Sequence, residues 1–382
     1  MKTVILIALL LTALPGSLVQ AQTRSDKDYL VYVLSEAADK ISLVRFGPEG
    51  ARVEQQIDTG EMPIDLDGPH GIAISSDRQF YYVSIAHGRP FGSVWKYSTK
   101  DNSLIGRTTL GHFPATLDVT PDGNFLFVVN FNLHGDMAPS SVSVVSAQTM
   151  TEVARIKTCT MPHGSRINTQ GTRQYSACMM DDMLVEIDTR SLKANRYFIV
   201  TKNKERGSDG PPATVSKHST HGAGHGAEPP KPGDNSCSPT WAQPSVDGAS
   251  VYVACNGSSE IVEIDTARWQ LVRRIPARAG VYNLAVTHDR SRLIATNKRD
   301  QSVSIYDLKS GKERARLSTK RKVLHGVVVS PDDRYAFVTV EGVGSEPGTV
   351  EVIDLTTLKT IATVDVPPGA AGIDFYKTMP SQ

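Results

Sequence analysis

The chain repeats one segment along its length. Each copy has an alternating apolar strand, a tight turn, a second strand, a gap, a third strand that often ends in Asp, and a fourth strand. The turn reads SSDRQ, TPDGN, NTQGT, SVDGA, THDRS and SPDDR in six successive copies. A period of about 42–48 residues is typical of the four-stranded blades of β-propellers. The period-2 alternation of apolar residues also predicts strands rather than helices.

The two ends of the chain complete a seventh unit. Residues 28–60 contain three strands but lack an innermost one, and GAAGIDFY at residues 369–376 is a lone strand near the C-terminus. Pairing them closes the ring and leaves no free end blade. We therefore expect an all-β fold, a single seven-bladed propeller over residues 22–382. Its blades should be four-stranded, and the C-terminal strand should close the N-terminal blade.

Residues 1–21 are typical of a cleaved signal peptide. Lys2 precedes the apolar run VILIALLLTAL, and VQA, ending at Ala21, is a small-residue cleavage site. The run is too short for a stable membrane span, so the mature chain should be periplasmic or secreted and lack a membrane span. The 41 Lys and Arg residues nearly balance the 40 Asp and Glu residues. This balance argues against nucleic acid as the main partner, because phosphate binding needs a concentrated positive field.

Two tetrapeptides carry a family resemblance. FVVN at Phe127–Asn130 and IATN at Ile294–Asn297 resemble the tetrapeptide that names the YVTN-type propeller repeats. The resemblance covers essentially the whole mature chain and extends to lactonase-like propellers and to the haem d1 propellers. It implies the propeller fold strongly and the function weakly, because a propeller is a scaffold for many kinds of site. The sequence has no CxxCH motif for covalent haem.

Alignment of the units on their turns places three histidines at one position. His70, His163 and His325 each begin a strand that should line the central channel, and each is followed by glycine. Three imidazoles that converge on one axis predict a metal site with an open position, with copper or zinc as the ion. The alternative is a wet, polar channel mouth without a metal. The same position in the other units is Ala115, Thr240, Tyr282 and Ala371. Further metal-binding candidates on this face are His87, His134 and Met180.

The four cysteines follow the same repeat. Cys178 and Cys255 stand at the end of a second strand, where the repeat usually has Asn, and Cys159 and Cys237 precede the first strand of the same units. First and second strands are antiparallel neighbours, so each pair should meet at one face. We predict disulfides Cys159–Cys178 and Cys237–Cys255, as expected in an oxidising compartment. The alternatives are a Cys178–Cys255 link, or copper thiolates beside methionines such as Met180.

A Gly-, Pro- and His-rich insertion occupies residues 201–236. Its composition cannot form a core, so we expect it to be flexible. By its place in the repeat it should emerge beside the three histidines. It carries His218, His221 and His225, which could bind a metal loosely or gate the channel mouth. The alternative is an inert insertion.

Three classes of function fit these features. The first is a binding protein that holds a transition metal or a small ligand at the channel mouth. The second, implied by the resemblance, is a lactonase-like hydrolase or another enzyme at the same mouth. There His163 would be the general base, and Arg166 or Arg299 would stabilise an oxyanion. The third is a scaffold with a protein partner on the propeller face.

Overall fold

The structure is a computed structural model that describes residues 25–61, 65–87, 90–212 and 237–381, and these form seven β-sheets. The innermost strands of neighbouring sheets contact each other in a closed circle, so each sheet is one blade of a propeller. Within a blade every neighbouring pair of strands is antiparallel. The predicted all-β, seven-bladed propeller is therefore confirmed.

The strands of the first three blades are as follows. Blade 1 contains β1 (Lys27–Ser35), β2 (Lys40–Gly47), β3 (Gly50–Asp58) and, from the C-terminus, β29 (Ala370–Pro380). Blade 2 contains β4 (Pro69–Ile74), β5 (Phe80–Ile85), β6 (Ser93–Ser98) and β7 (Leu104–Thr109). Blade 3 contains β8 (Pro114–Val119), β9 (Phe125–Asn130), β10 (Pro139–Ser146) and β11 (Thr151–Thr160).

The other four blades follow in chain order. Blade 4 contains β12 (Pro162–Ile167), β13 (Arg173–Cys178), β14 (Met183–Asp188), β15 (Lys193–Ile199) and β16 (Arg206–Ser208). Blade 5 contains β17 (Pro239–Pro244), β18 (Ser250–Cys255), β19 (Glu260–Asp265) and β20 (Gln270–Pro276). Blade 6 contains β21 (Val281–Val286), β22 (Arg292–Asn297), β23 (Ser302–Asp307) and β24 (Glu313–Ser318). Blade 7 contains β25 (Leu324–Val329), β26 (Tyr335–Val340), β27 (Gly348–Asp354) and β28 (Lys359–Val366).

Blade 1 combines the two ends of the chain, as the split unit predicts. Its strand order is β29-β1-β2-β3, and β1 pairs antiparallel with both β2 and β29. A 3₁₀ helix at Glu36–Ala38 joins β1 to β2. Among the described residues, no helix is long and apolar enough to cross a membrane.

Blade 4 departs from the expectation of four strands. Arg206–Ser208 adds a fifth strand on its outer edge, paired with β15 through Ile199↔Arg206 and Tyr197↔Ser208. Within the 201–236 insertion, Arg206–Ser208 is therefore paired in a sheet, and residues 213–236 lie outside the described part of the chain. This strand runs back along the outside of the blade, away from the histidines. His218, His221 and His225, like the predicted signal peptide, lie outside the described residues.

The turn motif joins the two inner strands of blades 2–7, whereas in blade 1 those strands are the two ends of the chain. In blade 2, the carboxylate oxygen Oδ1 of Asp77 accepts hydrogen bonds from Ser75 Oγ at 2.6 Å and from the backbone N–H of Gln79 at 3.0 Å. Asp122 makes the same pair of bonds in blade 3. Short polar side chains that bind the backbone two residues on are a common turn device. The repeated turn therefore sets the register on which the alignment of the units depends.

Apolar residues fill the space between neighbouring blades. Tyr29 of β1 packs edge-on against Tyr335 of β26, with ring centroids 5.0 Å apart, and both side chains are fully buried. Each buried Val or Leu side chain contributes about 1.5–3 kcal/mol relative to an exposed one. The ring is thus closed by packing as well as by the β1–β29 pairing.

Buried hydroxyls join consecutive blades close to the channel. Thr240 Oγ1 donates to the backbone carbonyl of Tyr282 at 2.8 Å, and Thr296 Oγ1 donates to that of His325 at 3.0 Å. Thr116 Oγ1 donates to the carbonyl of His163. These bonds fix the backbone of the residues at the channel mouth.

Both predicted disulfides are present. Cys159 pairs with Cys178 with their Cα atoms 5.9 Å apart, and Cys237 pairs with Cys255 at 4.5 Å. The described residues contain no free cysteine, so the alternatives of a Cys178–Cys255 link and of copper thiolates are wrong. Asp182 ties the two disulfide-bonded blades together, because its carboxylate accepts the backbone N–H of Cys237 at 3.0 Å.

Candidate functional site

The second residue of every innermost strand lies at one end of the central channel. The predicted equivalence is confirmed by the strand pairing, since Pro69, Pro162 and Leu324 each pair with the last residue of the second strand in their blade. The residues at this position are His70, Ala115, His163, Thr240, Tyr282, His325 and Ala371.

The three histidines come together there, as predicted. The ring centroid of His70 is 5.8 Å from that of His163 and 5.1 Å from that of His325. All three side chains are buried. The hydroxyl of Tyr282 lies between two of them, 3.1 Å from His163 Nε2 and 3.3 Å from His325 Nε2. Tyr282 occupies the same repeat position as the histidines, so the alignment already contained it.

The hydrogen bonds around His163 determine its tautomer. Its Nδ1 is 3.0 Å from the carbonyl oxygen of Thr240, and a carbonyl only accepts, so Nδ1 carries the proton. Burial, together with the neighbouring charge of His70, lowers the pKa of His163 to about 3, so its Nε2 is an acceptor at neutral pH. The single proton of the Tyr282 hydroxyl therefore goes to His163.

His325 and Tyr282 are held neutral by their surroundings. Burial lowers the pKa of His325 well below its usual value, and the positive charge of Lys298 lowers it further. Burial raises the pKa of Tyr282, although Lys298 acts in the opposite direction. At neutral pH the rings of His163, His325 and Tyr282 are thus uncharged and hydrogen-bonded to one another through the Tyr282 hydroxyl.

A second ring of residues stands just outside the first. It is made by the residue that follows the second strand of each blade. In blades 1–4, 6 and 7 its backbone N–H donates to the carbonyl of the residue that precedes the innermost strand, as in Lys298 to Gly280 at 2.8 Å and Glu341 to Val323 at 2.7 Å. The residues of this ring are Glu36, Ala86, Phe131, Met179, Asn256, Lys298 and Glu341.

Lys298 is the buried lysine of this second ring. Its Nζ lies 3.9 Å from the ring centroid of Tyr282 and 3.2 Å from Glu341 Oε1. Burial acts to lower the pKa of Lys298, but Tyr282, Glu341 and Glu36 outweigh it, so the pKa is raised and the side chain stays charged. For Glu341 burial outweighs the effect of Lys298, and its pKa is raised.

The pKa of Glu36 is shifted in the opposite direction from that of Glu341. Its Oε1 is 2.9 Å from His87 Nε2, and its Oε2 is 4.0 Å from His70 Nε2. Burial acts to raise its pKa, but the charges of His70 and His87 outweigh burial, and the pKa of Glu36 is lowered. The hydrogen bond from Glu36 raises the pKa of His87 in turn. Glu36 and His87 are therefore an ion pair near neutral pH.

An open cleft of about 1050 Å³ lies against this charged group. Glu36, His87 and Glu341 line it on one side, and Phe113 and His134 line it on the other. The ring of Phe113 contacts His134 at 5.5 Å and His87 at 4.9 Å between centroids. The secondary candidates His87 and His134 therefore do reach the mouth, where they border a cleft large enough for a small organic ligand.

The two arginine candidates lie away from His163's Nε2. Arg166 is three residues further along β12, where it stacks on the Trp241 ring at 4.5 Å and borders a cavity of about 20 Å³ inside the channel. Arg299 is exposed on the rim, where it donates to the carbonyl of Asn256 at 2.6 Å. The structure instead brings Lys298, the neighbour of Arg299, to the buried rings.

The remaining metal candidates do not form a complete ligand set. Met180 lies in the turn between β13 and β14, one residue past the Met179 of the second ring. Across the part of the chain that the structure describes, no group of three or more His, Cys, Asp or Glu side chains is arranged to hold a metal ion. At the histidine cluster, the Tyr282 hydroxyl occupies the space between His163 and His325 in which a metal ion would have to bind.

Comparison with known proteins agrees with this architecture. A family model described as lactonase, 7-bladed beta-propeller, matches residues 22–134. The sequence resembles that family over these residues, and the described residues fold as a seven-bladed propeller. No curated protein matches its sequence significantly.

Solved structures resemble the propeller over nearly its whole length. The periplasmic gluconolactonase of Pseudomonas aeruginosa is 16% identical, covers 91% of this chain and 99% of its own, and has a TM-score of 0.66. A candidate 6-phosphogluconolactonase from Bacteroides uniformis is 13% identical, with 92% and 100% covered and a TM-score of 0.65. Kuenenia stuttgartiensis hydrazine synthase is 21% identical, with 83% and 92% covered and a TM-score of 0.61. At these identities the likeness concerns the fold alone.

Proposed function

We propose that the propeller binds a small cyclic ester in the cleft and opens it by hydrolysis. The observation that carries this proposal is a pair of carboxyl groups on one cleft, Glu36 and Glu341, whose pKa values are shifted in opposite directions. Two carboxyls with opposite shifts are the usual arrangement for a general base and a general acid in one site.

Glu36 is the general base of this proposal. Its lowered pKa keeps it ionised, and the bond to His87 holds it in place. Glu36 takes a proton from a water molecule, whose oxygen attacks the carbonyl carbon of the lactone. The new C–O bond forms as the carbonyl π bond opens, which leaves a negative charge on the former carbonyl oxygen.

Lys298 and Glu341 serve the next two steps. Lys298 does not line the cleft itself, but its buried ammonium lies 3.2 Å from Glu341 Oε1. From there its positive charge stabilises the negative oxygen, an electrostatic effect that is strong where water is excluded. The carbonyl re-forms, the ring C–O bond breaks, and the leaving ring oxygen takes a proton from Glu341, whose raised pKa suits a proton donor. Water and lactone are thereby converted to one hydroxy acid, and the proton on Glu36 returns to Glu341 through solvent.

The comparisons support the reaction class without specifying it. The matching family model is named for lactonase activity, and two of the similar structures are described as lactonases. The hydrolase was the second of the three classes of function expected from the sequence. The opposed pKa shifts of Glu36 and Glu341 are the reason to place it first.

A pH-stat assay tests the proposal. Purified protein is mixed with a panel of lactones, and acid release is measured above the spontaneous rate. We expect Glu36→Gln and Glu341→Gln each to lower kcat/KM by about 10²–10⁴-fold, the usual contribution of a general acid or base. Glu49→Gln, at an exposed turn on the outer side of blade 1, is the matched control. Acid release by wild type no faster than the spontaneous rate, or full activity of Glu36→Gln, would contradict the mechanism.

A metal ion at the histidine cluster is a second candidate function. The centroid distances of 5.1 and 5.8 Å favour it, as does the bond from His163 Nδ1 to a carbonyl, which is how metal-bound histidines are usually held. Copper or zinc would have to displace the Tyr282 hydroxyl. Elemental analysis of protein purified without a histidine tag tests this. Stoichiometric metal should be lost in His70→Ala, His163→Ala and His325→Ala and kept in His288→Ala, and metal-free wild type would reject it.

The location of the protein is part of the same proposal. Two disulfides favour an oxidising compartment, and one similar structure is a periplasmic enzyme. We expect export with cleavage near Ala21. N-terminal sequencing of protein from a periplasmic fraction should begin near Gln22, and a chain that starts at Met1 in the cytosol would contradict it.

A further inference from the structure

We infer that the cleft takes an uncharged lactone with an alkyl or aryl substituent, rather than a sugar lactone or a phosphorylated one. The reaction in this inference rests on the proposed function, but the class of ligand rests on the cleft itself. The two claims are separable, because binding and turnover are measured independently.

The polarity of the cleft is divided between its two sides. The ionisable groups Glu36 and Glu341 come from blades 1 and 7. The opposite side, from blade 2, the approaches to blades 2 and 3 and the His134 loop, presents Leu66, Pro90 and Phe113 beside the imidazoles of His112 and His134. A ligand that fills such a cleft therefore places its reacting polar group at the carboxylates and an apolar part against the other wall.

Apolar side chains also stand exposed on the loops around the cleft. Leu66 is 60% exposed, Phe91 is 48% exposed and Leu133 is 42% exposed. Phe91 contacts the cleft residue His112 at 4.9 Å between ring centroids. Large apolar side chains grouped at a cleft mark a binding surface more often than isolated ones do. Leu66 lines the cleft itself, whereas Phe91 and Leu133 border it beside the lining residues Pro90 and His134.

The charges of the cleft disfavour a phosphorylated ligand. Among the described residues that line it there is no Arg or Lys, and the charge of His87 is already paired with Glu36. A phosphate would therefore find no unpaired cation in the described lining, and recognition of that group depends on cationic side chains.

Sugar hydroxyls fit the cleft poorly for a different reason. A polyhydroxylated ring loses its bonds to water on binding and needs donors and acceptors in return. In the described part of the lining there is no Asn, Gln, Ser or Thr side chain. Of its imidazoles, His87 is bonded to Glu36 and His112 to Asn132, so several hydroxyls of a sugar lactone would face Leu66 and Phe113.

The test compares four substrates in the pH-stat assay: an unsubstituted γ-lactone, its γ-hexyl derivative, glucono-δ-lactone and the 6-phosphate of the last. We expect kcat/KM to rise by about fourfold for each methylene that becomes buried and to be lowest for the phosphate. The double variant Leu66→Ser/Phe91→Ser should lower the ratio of kcat/KM for the hexyl derivative to kcat/KM for the unsubstituted lactone by about tenfold or more. Val153→Ser/Leu271→Ser, at exposed apolar positions on the outer strands β11 and β20, is the matched control.

A binding measurement separates the two claims. The γ-hexyl lactam and the unsubstituted lactam are titrated by calorimetry, since an amide analogue is not turned over on that timescale. Tighter binding of the hexyl lactam, weakened in Leu66→Ser/Phe91→Ser, supports the ligand class even if no lactone is hydrolysed, in which case only the proposed reaction fails. Equal binding of both lactams, better turnover of either sugar lactone, or a preference unchanged in the double variant would overturn the inference.

Discussion

The two sides of the channel mouth use the same backbone position for different chemistry. The residue after the second strand is Glu36, Lys298 or Glu341 in blades 1, 6 and 7, which we call the charged arc. In blades 2–5, the uncharged arc, the same position has no charged side chain. It is occupied there by Ala86, Phe131, Met179 and Asn256. The repeat therefore determines where each side chain lies, and the residue type at this one position determines its chemistry in each blade.

A related difference concerns the residue that precedes the innermost strand. In blades 1, 2 and 6 it is a glycine in the left-handed backbone conformation, with φ of 77°, 62° and 72° for Gly369, Gly68 and Gly280. In blades 3–5 of the uncharged arc, Phe113, Met161 and Ser238 adopt this conformation with φ between 47° and 51°. It costs a residue with a side chain about 1–2 kcal/mol. Ser238 directly follows Cys237 and Met161 is two residues past Cys159, so the cross-links hold the backbone close to two of the strained residues.

The largest difference between the arcs is expected in activity. Lys298→Met removes the buried cation while keeping the length of the side chain, and kcat/KM should fall by about 10²–10³-fold, as for loss of an oxyanion-stabilising group. Asn256→Met makes the same substitution at the equivalent position of blade 5. It should change kcat/KM by no more than about twofold, because surface changes away from a site are usually near neutral.

Initial rates in the pH-stat assay, with thermal unfolding of each variant as a folding check, measure this contrast. Equal losses in Lys298→Met and Asn256→Met would mean that the charged arc has no special part in the reaction. The two arcs would then differ in their residue types but not in their contribution to the reaction.

The sequence predicted the scaffold better than the site. Alignment on the turns found the second residue of all seven innermost strands, because a conserved spacing between turn and strand is a local property of each repeat. It also predicted both disulfides, since Cys178 and Cys255 stand at equivalent strand ends. The fifth strand at Arg206–Ser208 was missed, because three residues are too few to show an alternating pattern.

The charged groups of the site were missed for a different reason. Glu36, Lys298 and Glu341 follow the counted strand ends by one residue, so extending the same count by one would have found them. Arg166 was assigned to the mouth because it is near His163 in sequence. Three residues of a strand span about 10 Å, which carries Arg166 down the channel. Burial and partner charges, which set the pKa values, depend on the assembled ring and are not visible in one repeat.

Removal of a disulfide from the uncharged arc should lower the stability of the protein without changing the activity that depends on the charged arc. Cys159 and Cys178 are separated by 19 positions, and a loop of that size contributes about 3 kcal/mol by restricting the unfolded chain. We expect Cys159→Ser/Cys178→Ser to lower the free energy of unfolding by about that amount in urea titrations, with kcat/KM nearly unchanged.

Reductant supplies the control for this prediction. Dithiothreitol should destabilise wild type more than it destabilises the double variant, which has one disulfide fewer. A variant as stable as wild type would mean that the unfolded chain is not restricted by this link.

The pH dependence of stability tests the buried histidines. The pKa of His163 is about 3 in the folded protein and about 6.5 in an unfolded chain. Between these values the unfolded state binds a proton that the folded state does not, so stability falls as pH falls. The slope is at most about 1.4 kcal/mol per pH unit for one histidine.

His163→Gln should therefore flatten the loss of stability between pH 6.5 and 4, measured by urea unfolding at several pH values. His288→Gln, at an exposed turn on the opposite face, should keep the wild-type slope. An unchanged slope in His163→Gln would show that His163 is not held neutral, and with it the assignment of the Tyr282 proton to His163 would fail.

The smallest expected effect is a change in stability at Ser238, one of the strained backbone positions. Ser238→Gly replaces a residue at φ 47° with one that adopts this conformation freely, although glycine also loses more entropy on folding. The net gain in the free energy of unfolding should be about 0.5–1 kcal/mol, the usual range for a compatible backbone substitution.

The reverse exchange on the charged arc, Gly280→Ser, places a Cβ atom 2.7 Å from the backbone nitrogen of Arg299 and should destabilise the protein. Urea unfolding of both variants measures the pair. If Ser238→Gly destabilises as much as Gly280→Ser does, the uncharged arc is not strained there, and the two arcs differ only in their side chains.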